Sequence, residues 1–301
     1  MDNAEDQSLT TTMDTDLNIS QGALSSGRRN LGKVLTVLTM VFAASVVLPL
    51  MWVITDVVRK GASAITFPDI FTQLPPPPGL SGGGVGHAIL GTLMVVGIGT
   101  LISVPIGVLA AVYLSEFGRG GKLAYVVKFA SNVLTGIPAI IAGLFAYGTV
   151  VLTMGGFSAF SGGVALAVVM LPIVLRSTEE ALRLVPNEMR LAAVGVGANQ
   201  LQTVTLVVLP AAASSIVTGV VLAVARVAGE ASPLLFTSFN NSFWSTDIWG
   251  PVATLPIVIY FFSIIPFKAS QALAWGASLV LMAMVLAFSL LARFFSRKKA
   301  L

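Results

Sequence analysis

The chain has 301 residues, of which 55% are hydrophobic and only 10% are charged, and its formal net charge is +4. Soluble domains carry about 25% charged residues, so this composition excludes an ordinary soluble protein and indicates a membrane protein. The chain holds no cysteine and a single histidine, which excludes disulfides, thiolate chemistry and any catalytic cluster of histidines.

The first part of the chain differs from the rest in composition. Residues 1–27 are polar and acidic, and such a segment cannot bury enough apolar surface to fold. We expect a disordered cytoplasmic tail over residues 1–32 and a membrane domain over residues 33–301.

Six apolar stretches follow, each close to the roughly 20 residues that a helix needs to cross a bilayer. Because the backbone finds no water in hydrocarbon, each stretch is expected to be helical. The sequence therefore predicts an all-α, polytopic bundle. The predicted spans are Val34–Val57, His87–Leu114, Ser131–Met154, Ala159–Leu175, Ala211–Phe236 and Ala272–Phe295.

Basic residues set the predicted orientation. They cluster before the first span, between the second and third, between the fourth and fifth, and after the sixth, all on one side of the membrane. The positive-inside rule makes that side cytoplasmic, so both termini are expected inside. The same residues suit contact with anionic lipid better than nucleic acid. The clusters comprise Arg28, Arg29, Lys33, Arg119, Lys122, Lys128, Arg183, Arg190, Arg293, Arg297, Lys298 and Lys299.

Residues 248–265 are almost as apolar as a span but contain Pro251 and Pro256. Proline disfavours a straight helix, and a seventh span would place the basic C-terminus outside. We expect a re-entrant or surface helix at the outer face, with Trp244 and Trp249 at the interface.

Two groups of charged residues interrupt the apolar stretches, where charge is costly and usually functional. Arg176 precedes Glu179 and Glu180 by three and four residues, a spacing that brings them together on one helix face. Arg226 and Glu230 repeat the four-residue spacing. Arg226 lies about 15 residues into the predicted fifth span, near two-thirds of its depth. An arginine there suits a cavity that admits a tetrahedral oxyanion, and the alternative is a buried structural pair.

Between the fourth and fifth spans, about residues 184–210, the sequence resembles the coupling loop of ABC-importer permeases. That pattern is Glu-Ala-Ala, three residues, Gly, nine residues, an aliphatic residue, one residue and Leu-Pro, and Leu191 replaces its Glu. The resemblance implies a type I importer permease fold and a contact with a separate ATPase. The residues expected at that contact are Glu188, which stands near the missing Glu, and Ala192, Ala193, Gly197, Ala198 and Pro210.

Several stretches resemble, more narrowly, the phosphate-importer permeases of the PstA family. They are Leu134–Phe145, Arg226–Thr237, Phe243–Asp247 and the Pro75–Gly84 loop. The resemblance implies transport of inorganic phosphate by a heterodimer with a companion permease, two ATPase subunits and an extracytoplasmic phosphate-binding protein. It also implies a substrate pathway through Arg176, Glu179, Arg226 and Glu230, with no cofactor.

Alternatives remain open at this point. A permease of the same fold would suit another oxyanion, such as molybdate, sulfate or phosphonate. An intramembrane enzyme is a different class, which the missing histidine cluster and cysteines disfavour. The sequence has no G-x-x-x-x-G-K-[ST] motif, so we expect ATP hydrolysis by a partner rather than by this chain.

Overall fold

The computed structural model describes residues 26–65, 69–118 and 120–297. The chain divides into two compact units, Met1–Asp56 and Val57–Leu301. The regular structure of the described residues is helical. The helices are α1 (Ser26–Ala64), α2 (Asp69–Thr72), α3 (Gly86–Val112), α4 (Lys122–Gly136), α5 (Ala139–Ala146), α6 (Leu152–Met154), α7 (Ala159–Arg183), α8 (Asn187–Gly195), α9 (Gln200–Gln202), α10 (Leu209–Val227), α11 (Leu255–Ile264) and α12 (Lys268–Arg297).

Three π-helical turns extend these helices. Tyr113–Phe117 continues α3, Tyr147–Val151 joins α5 to α6, and Thr203–Val208 joins α9 to α10. The last of these turns directly precedes Leu209-Pro210. Because Pro210 has no backbone N–H to donate, it cannot follow the regular α-helical bonding pattern, and the wider turn accommodates it.

The first unit contains the greater part of α1, whose large apolar side chains are exposed along its length. Residues 26–32, assigned above to the tail, belong to this helix. Residues 1–25 lie outside the described part of the chain, and the expectation of disorder there stays a prediction.

Among the described residues, five helices are long and apolar enough to cross a membrane, and a bent pair of helices makes a sixth candidate. This confirms the all-α, polytopic fold class. The five are Asn30–Ala64, Gly86–Phe117, Ala159–Arg183, Gln200–Val227 and Lys268–Leu290.

The third predicted span, Ser131–Met154, is wrong as a single helix. The helical stretches Lys122–Gly136 and Ala139–Met154 are bent by 109° relative to each other across Ile137-Pro138. The proline ring disfavours the α conformation of the residue before it, and Ile137 is accordingly extended, with ψ of 127°. The helical stretch also begins earlier than predicted, at Lys122.

The fifth predicted span, Ala211–Phe236, is shifted along the chain. The helical stretch begins at Gln200 and ends at Val227. The chain then turns through Gly229, whose N–H donates to the carbonyl of Arg226, before Pro233 begins a short 3₁₀ turn. The run stays apolar, so hydropathy alone does not mark where the helix stops.

The core of the second unit centres on α7, which packs against α3 and α10. Leu166, Met170 and Val174 of α7 are fully buried. Close approach depends on small residues, since a side chain at Gly163 would overlap Ile98 of α3. Tight packing of small residues is the usual source of helix association in lipid.

As predicted, residues 248–265 do not form a membrane-spanning helix. α11 has ten residues and reaches about 15 Å, half the thickness of the hydrocarbon core. Pro256 lies in its first turn, where a missing N–H costs nothing. The first half of the helix is buried, with Leu255 and Ile257 in the core, so it is not a helix lying wholly on the surface.

Candidate functional site

A small cavity of about 80 Å³ opens where the bent helix pair meets α7 and the end of α10. Drug-sized ligands occupy about 300–1,000 Å³, so this cavity suits a small ion instead. Among the described residues that line it, three are polar: Thr135, Arg226 and Glu230. The apolar lining consists of Leu134, Ile137, Ala139, Ala142, Val168, Val169, Pro172 and Ile173.

Arg226 and Glu230 both line this cavity, but not as neighbours on one helix. Arg226 is in the last turn of α10, and Glu230 lies beyond its end. The two side chains are within the described part of the chain, and no ion pair joins them. The predicted helical i, i+4 pair is therefore wrong, because the helix stops at Val227. The guanidinium is left exposed on the cavity.

The depth of Arg226 also differs from the prediction. It lies near the end of its own helix, not two-thirds along a span. The cavity nevertheless borders the stretch Val168–Ile173, near the middle of α7. α10 therefore ends beside the middle of α7, and Arg226 lies next to the central part of the bundle.

Backbone features of the cavity wall add to its polarity. Ala139 lines the cavity as the first residue of α5, and the N-cap Pro138 supplies no side-chain cap. A helix N-terminus carries unpaired N–H groups and a partial positive charge of about half a unit. On α7, Pro172 has no N–H to give to the carbonyl of Val168. Two of the stretches that line the cavity therefore contain backbone groups that have no partner within their own helix.

Arg176 lies one helical turn beyond the cavity wall, three residues after Ile173. Its side chain is exposed, and its Nη2 donates to Oδ1 of Asn132 on α4 over 2.7 Å. The prediction that Arg176 meets Glu179 and Glu180 on one helix face is wrong. Asn132 is a neutral partner that leaves the arginine its full charge, and it was not among the residues predicted from the sequence.

Glu179 belongs to a different cluster. It is 8% exposed and accepts a hydrogen bond from Arg183 on the next turn of α7. The Nζ of Lys128 on α4 lies 3.7 Å from its carboxylate. Two basic residues therefore neutralise Glu179, so it is not available to moderate the charge of Arg176. The four predicted pathway residues separate into the cavity pair, Arg176 and this outlying carboxylate.

The segment between α7 and α10 forms two short helices with a sharp turn between them. Gly197 has φ of +91° and ends α8. The N–H of Gly197 donates to Val194, and the N–H of Ala198 donates to Ala193, at 2.9 and 3.0 Å. This bonding is a Schellman motif, which glycine favours because a Cβ disfavours positive φ. Asn199 then caps α9 through a reciprocal bond pair with Gln202.

The side chains of this segment divide between two faces. Ala193 is buried, whereas Glu188, Leu191 and Ala192 are exposed. Leu191, at the position of the missing Glu, is 71% exposed. Pro210 lies near the start of α10, away from the turn.

Comparison with known proteins decides the family. A family model described as "Binding-protein-dependent transport system inner membrane component" matches residues 103–300. The phosphate transport system permease protein PstA of Yersinia pestis is 41% identical over 273 residues, which cover 90% of this chain and 92% of that protein. The chain belongs to the PstA family. The PstA of Haemophilus influenzae is 42% identical, over 83% of this chain and 88% of its own length.

A solved structure shows the same fold. A bacterial alginate ABC transporter in complex with an alginate-bound periplasmic protein contains a chain that matches with a TM-score of 0.62. The match covers 90% of this chain and 96% of that one at 15% identity. The PstA-family chain therefore has the type I ABC importer permease fold. It is a multi-pass inner membrane component of an ABC transporter.

Two features of this PstA-family permease were not predicted from its sequence. The bend at Ile137-Pro138 creates the cavity, and the Ile-Pro dipeptide was its signal. Glu116 and Arg190 form a buried ion pair, with 2.8 Å between Oε1 and Nη2. No spacing rule predicts that pair, because 74 residues separate its members.

Proposed function

We propose that this permease carries inorganic phosphate across the membrane into the cytoplasm, driven by ATP hydrolysis on a partner subunit. The observation that carries the proposal is the exposed guanidinium of Arg226 on a small, otherwise mostly apolar cavity. A charged arginine in such a place attracts an anion, because a charge inside a membrane protein is costly unless it has a polar or oppositely charged partner. Relatives that are 41% and 42% identical are named phosphate transport system permeases, which supports the choice of anion.

Phosphate also fits the mixed polarity of the cavity. The ion carries a proton on at least one oxygen near neutral pH, so it presents both acceptors and a donor. Arg226 and the start of α5 supply donors, while Glu230 supplies an acceptor. Sulfate has no proton to donate, and a carboxylate in the same cavity repels it. The mixed polarity of the cavity therefore favours phosphate over sulfate or molybdate as the transported anion.

Arg176 serves, in this proposal, as a second anion-binding position between the cavity and the cytoplasm. Asn132 holds the guanidinium without neutralising it, and α4 and α7 border both the cavity and Arg176. Glu179, already paired with Arg183 and near Lys128, contributes structure here and does not contact the anion.

The proposed assembly joins this chain to a companion permease, two ATPase subunits and an extracytoplasmic phosphate-binding protein. Both termini face the cytoplasm, the tail that precedes α1 lies on the same side, and the segment from α8 to α9 enters a cleft of the ATPase. Glu188, Ala192, Gly197 and Ala198 form that contact. Ala193, also predicted there, is buried and packs on the bundle side of α8, and Pro210 lies at the start of the helix that follows. The chain itself hydrolyses no ATP.

The proposal is tested with the complete complex in proteoliposomes. ATP is supplied on the side of the membrane that carries the ATPase subunits, and the binding protein with its anion on the opposite side. We then expect transport of radiolabelled phosphate, and little transport of sulfate or molybdate supplied with the same binding protein. Omission of ATP or of the binding protein serves as the control. ATP-dependent uptake of another oxyanion in place of phosphate would contradict the assignment.

A further inference from the structure

A buried polar cluster lies where the π-helical end of α3 meets α8. Glu116 is 7% exposed, and Nη2 and Nε of Arg190 reach its two carboxylate oxygens at 2.8 and 3.3 Å. The side chain of Arg190 is 16% exposed. This forked arrangement is the stronger and more directional form of an arginine–carboxylate contact.

Arg190 also binds the end of α7. Its Nη1 donates to the carbonyl of Val185 over 2.6 Å, and its Nη2 donates to the carbonyl of Leu182 over 2.9 Å. The last carbonyls of a helix have no partner within the helix, so a nearby cation stabilises them. Gln200, at the start of α9, donates to the backbone carbonyl of Glu116 over 2.7 Å. One arginine and one glutamate thus connect α3, α7, α8 and α9.

The contact fixes the rotation of α8 about its axis. Arg190 and Ala193, three residues apart, face the bundle, and Ala193 is 7% exposed. Leu191 and Val194 occupy the opposite face and are exposed. Residues three apart share a helix face, so the inward pull on Arg190 determines which side chains face outward.

We propose that the Glu116–Arg190 pair is a positioning device that makes α8 move as one body with α3 and α7. This inference rests on the proposed function, because it requires an ATPase that moves α8. α7 runs unbroken from this pair to the wall of the cavity at Ile173 and Val168, so a displacement of α8 reaches the anion site through one helix. Glu116 acts through Arg190 and does not contact the anion.

The competing explanation is that the pair only stabilises the fold. Removing one partner of a buried ion pair is strongly destabilising in general, so a stability loss alone does not separate the two explanations. Two readouts do: the rigidity of α8 in the folded chain, and the number of phosphate ions moved for each ATP hydrolysed.

The rigidity is measured in the full chain. Because the sequence has no cysteine, cysteines introduced at Leu109 on α3 and Val194 on α8, both exposed, are the only spin-label sites. We expect a narrow distance distribution in the parent chain and a clearly broader one in Glu116→Gln. The exposed Glu180 on α7 provides the matched control, and Glu180→Gln should leave the distribution narrow.

The coupling is measured in the reconstituted complex. Glu116→Gln should lower the phosphate moved per ATP by about tenfold while ATP hydrolysis continues. Arg190→Lys, which keeps the charge but loses the fork, should give an intermediate value and supplies the measurement if Glu116→Gln does not assemble. A distribution that stays narrow in Glu116→Gln, or an unchanged ratio despite a broad one, would overturn the inference. A parent complex that moves no phosphate would instead contradict the proposed function. The distance measurement would still test the rigidity of α8, because it does not depend on transport.

Discussion

The turn at Gly197 offers a prediction whose sign follows from backbone geometry alone. Gly197 has φ of +91°, and a Cβ built there meets no atom within 4 Å. Gly195, two residues earlier in α8, likewise has open space around it, but its φ is not in the positive range. The substitution Gly197→Ala therefore introduces strain without a clash, and Gly195→Ala introduces neither.

The magnitudes follow from known backbone preferences. An L-residue in the left-handed region costs about 1–2 kcal/mol, so Gly197→Ala should destabilise the turn by that amount. Alanine in a helix is better than glycine by about 0.5–1 kcal/mol, so Gly195→Ala should stabilise α8. Two glycine-to-alanine changes two residues apart should thus act in opposite directions.

Amide hydrogen exchange measures both effects in the membrane-embedded chain. The N–H groups of Gly197 and Ala198 donate to Val194 and Ala193, so they report on opening of the turn. Exchange in peptides covering residues 187–202 should become about 5–30 times faster in Gly197→Ala, which corresponds to 1–2 kcal/mol. It should become slower in Gly195→Ala. Exchange that changes in the same direction in both variants would refute the assignment of a glycine-specific turn.

Three further predictions concern the cavity, the core and the topology. Glu230→Gln should reduce the preference of the purified complex for phosphate over sulfate, because the cavity loses the carboxylate that accepts the phosphate proton and repels sulfate; competition binding measures the preference, and an unchanged preference would contradict the role given to Glu230. Gly163→Ala should destabilise the bundle by about 1–3 kcal/mol through overlap with Ile98, whereas Gly97→Ala, with open space around its Cβ, should be nearly neutral in thermal unfolding. A reporter fused after residue 301 should be active only in its cytoplasmic form, and activity of a periplasmic reporter would contradict the orientation.

Much of the fold could be predicted from the sequence because the bilayer allows few solutions. A hydrocarbon solvent forces long apolar stretches into helices, and length then identifies them. The first, second, fourth and sixth spans were predicted on this basis, with boundaries extended by several residues in the structure. α11 was excluded as a span because its prolines outweighed its hydropathy.

The errors have a common cause, which is that hydropathy does not report helix ends inside an apolar run. The bend at Ile137-Pro138 and the stop at Val227 both lie in apolar sequence, yet together they create the cavity. The resulting change of direction removes Glu230 from the helix of Arg226. Spacing rules assume a continuous helix, and they fail where the backbone breaks to form a site.

Contacts between residues that are far apart in the chain also could not be predicted from the sequence. Arg176 contacts Asn132, and Arg190 contacts Glu116, across helices that only the packed bundle brings together. A local spacing rule favours nearby carboxylates for each arginine, and for Arg176 that rule chose the wrong partner. The Schellman turn at Gly197, by contrast, is a local motif whose hydrogen bonds join residues 193–198 only.

The central claim is that the charge of Arg226 admits phosphate to the cavity, and uptake by an Arg226→Gln complex tests it most directly. The substitution keeps a hydrogen-bonding side chain but removes the charge. Arg59→Gln, at an exposed position in α1 outside the cavity, is the control for loss of a positive charge. We predict that Arg226→Gln assembles normally and loses most ATP-dependent phosphate uptake, that Arg226→Lys is intermediate because it lacks the fork, and that Arg59→Gln transports normally. Uptake at the parent rate by a fully assembled Arg226→Gln complex would contradict the account.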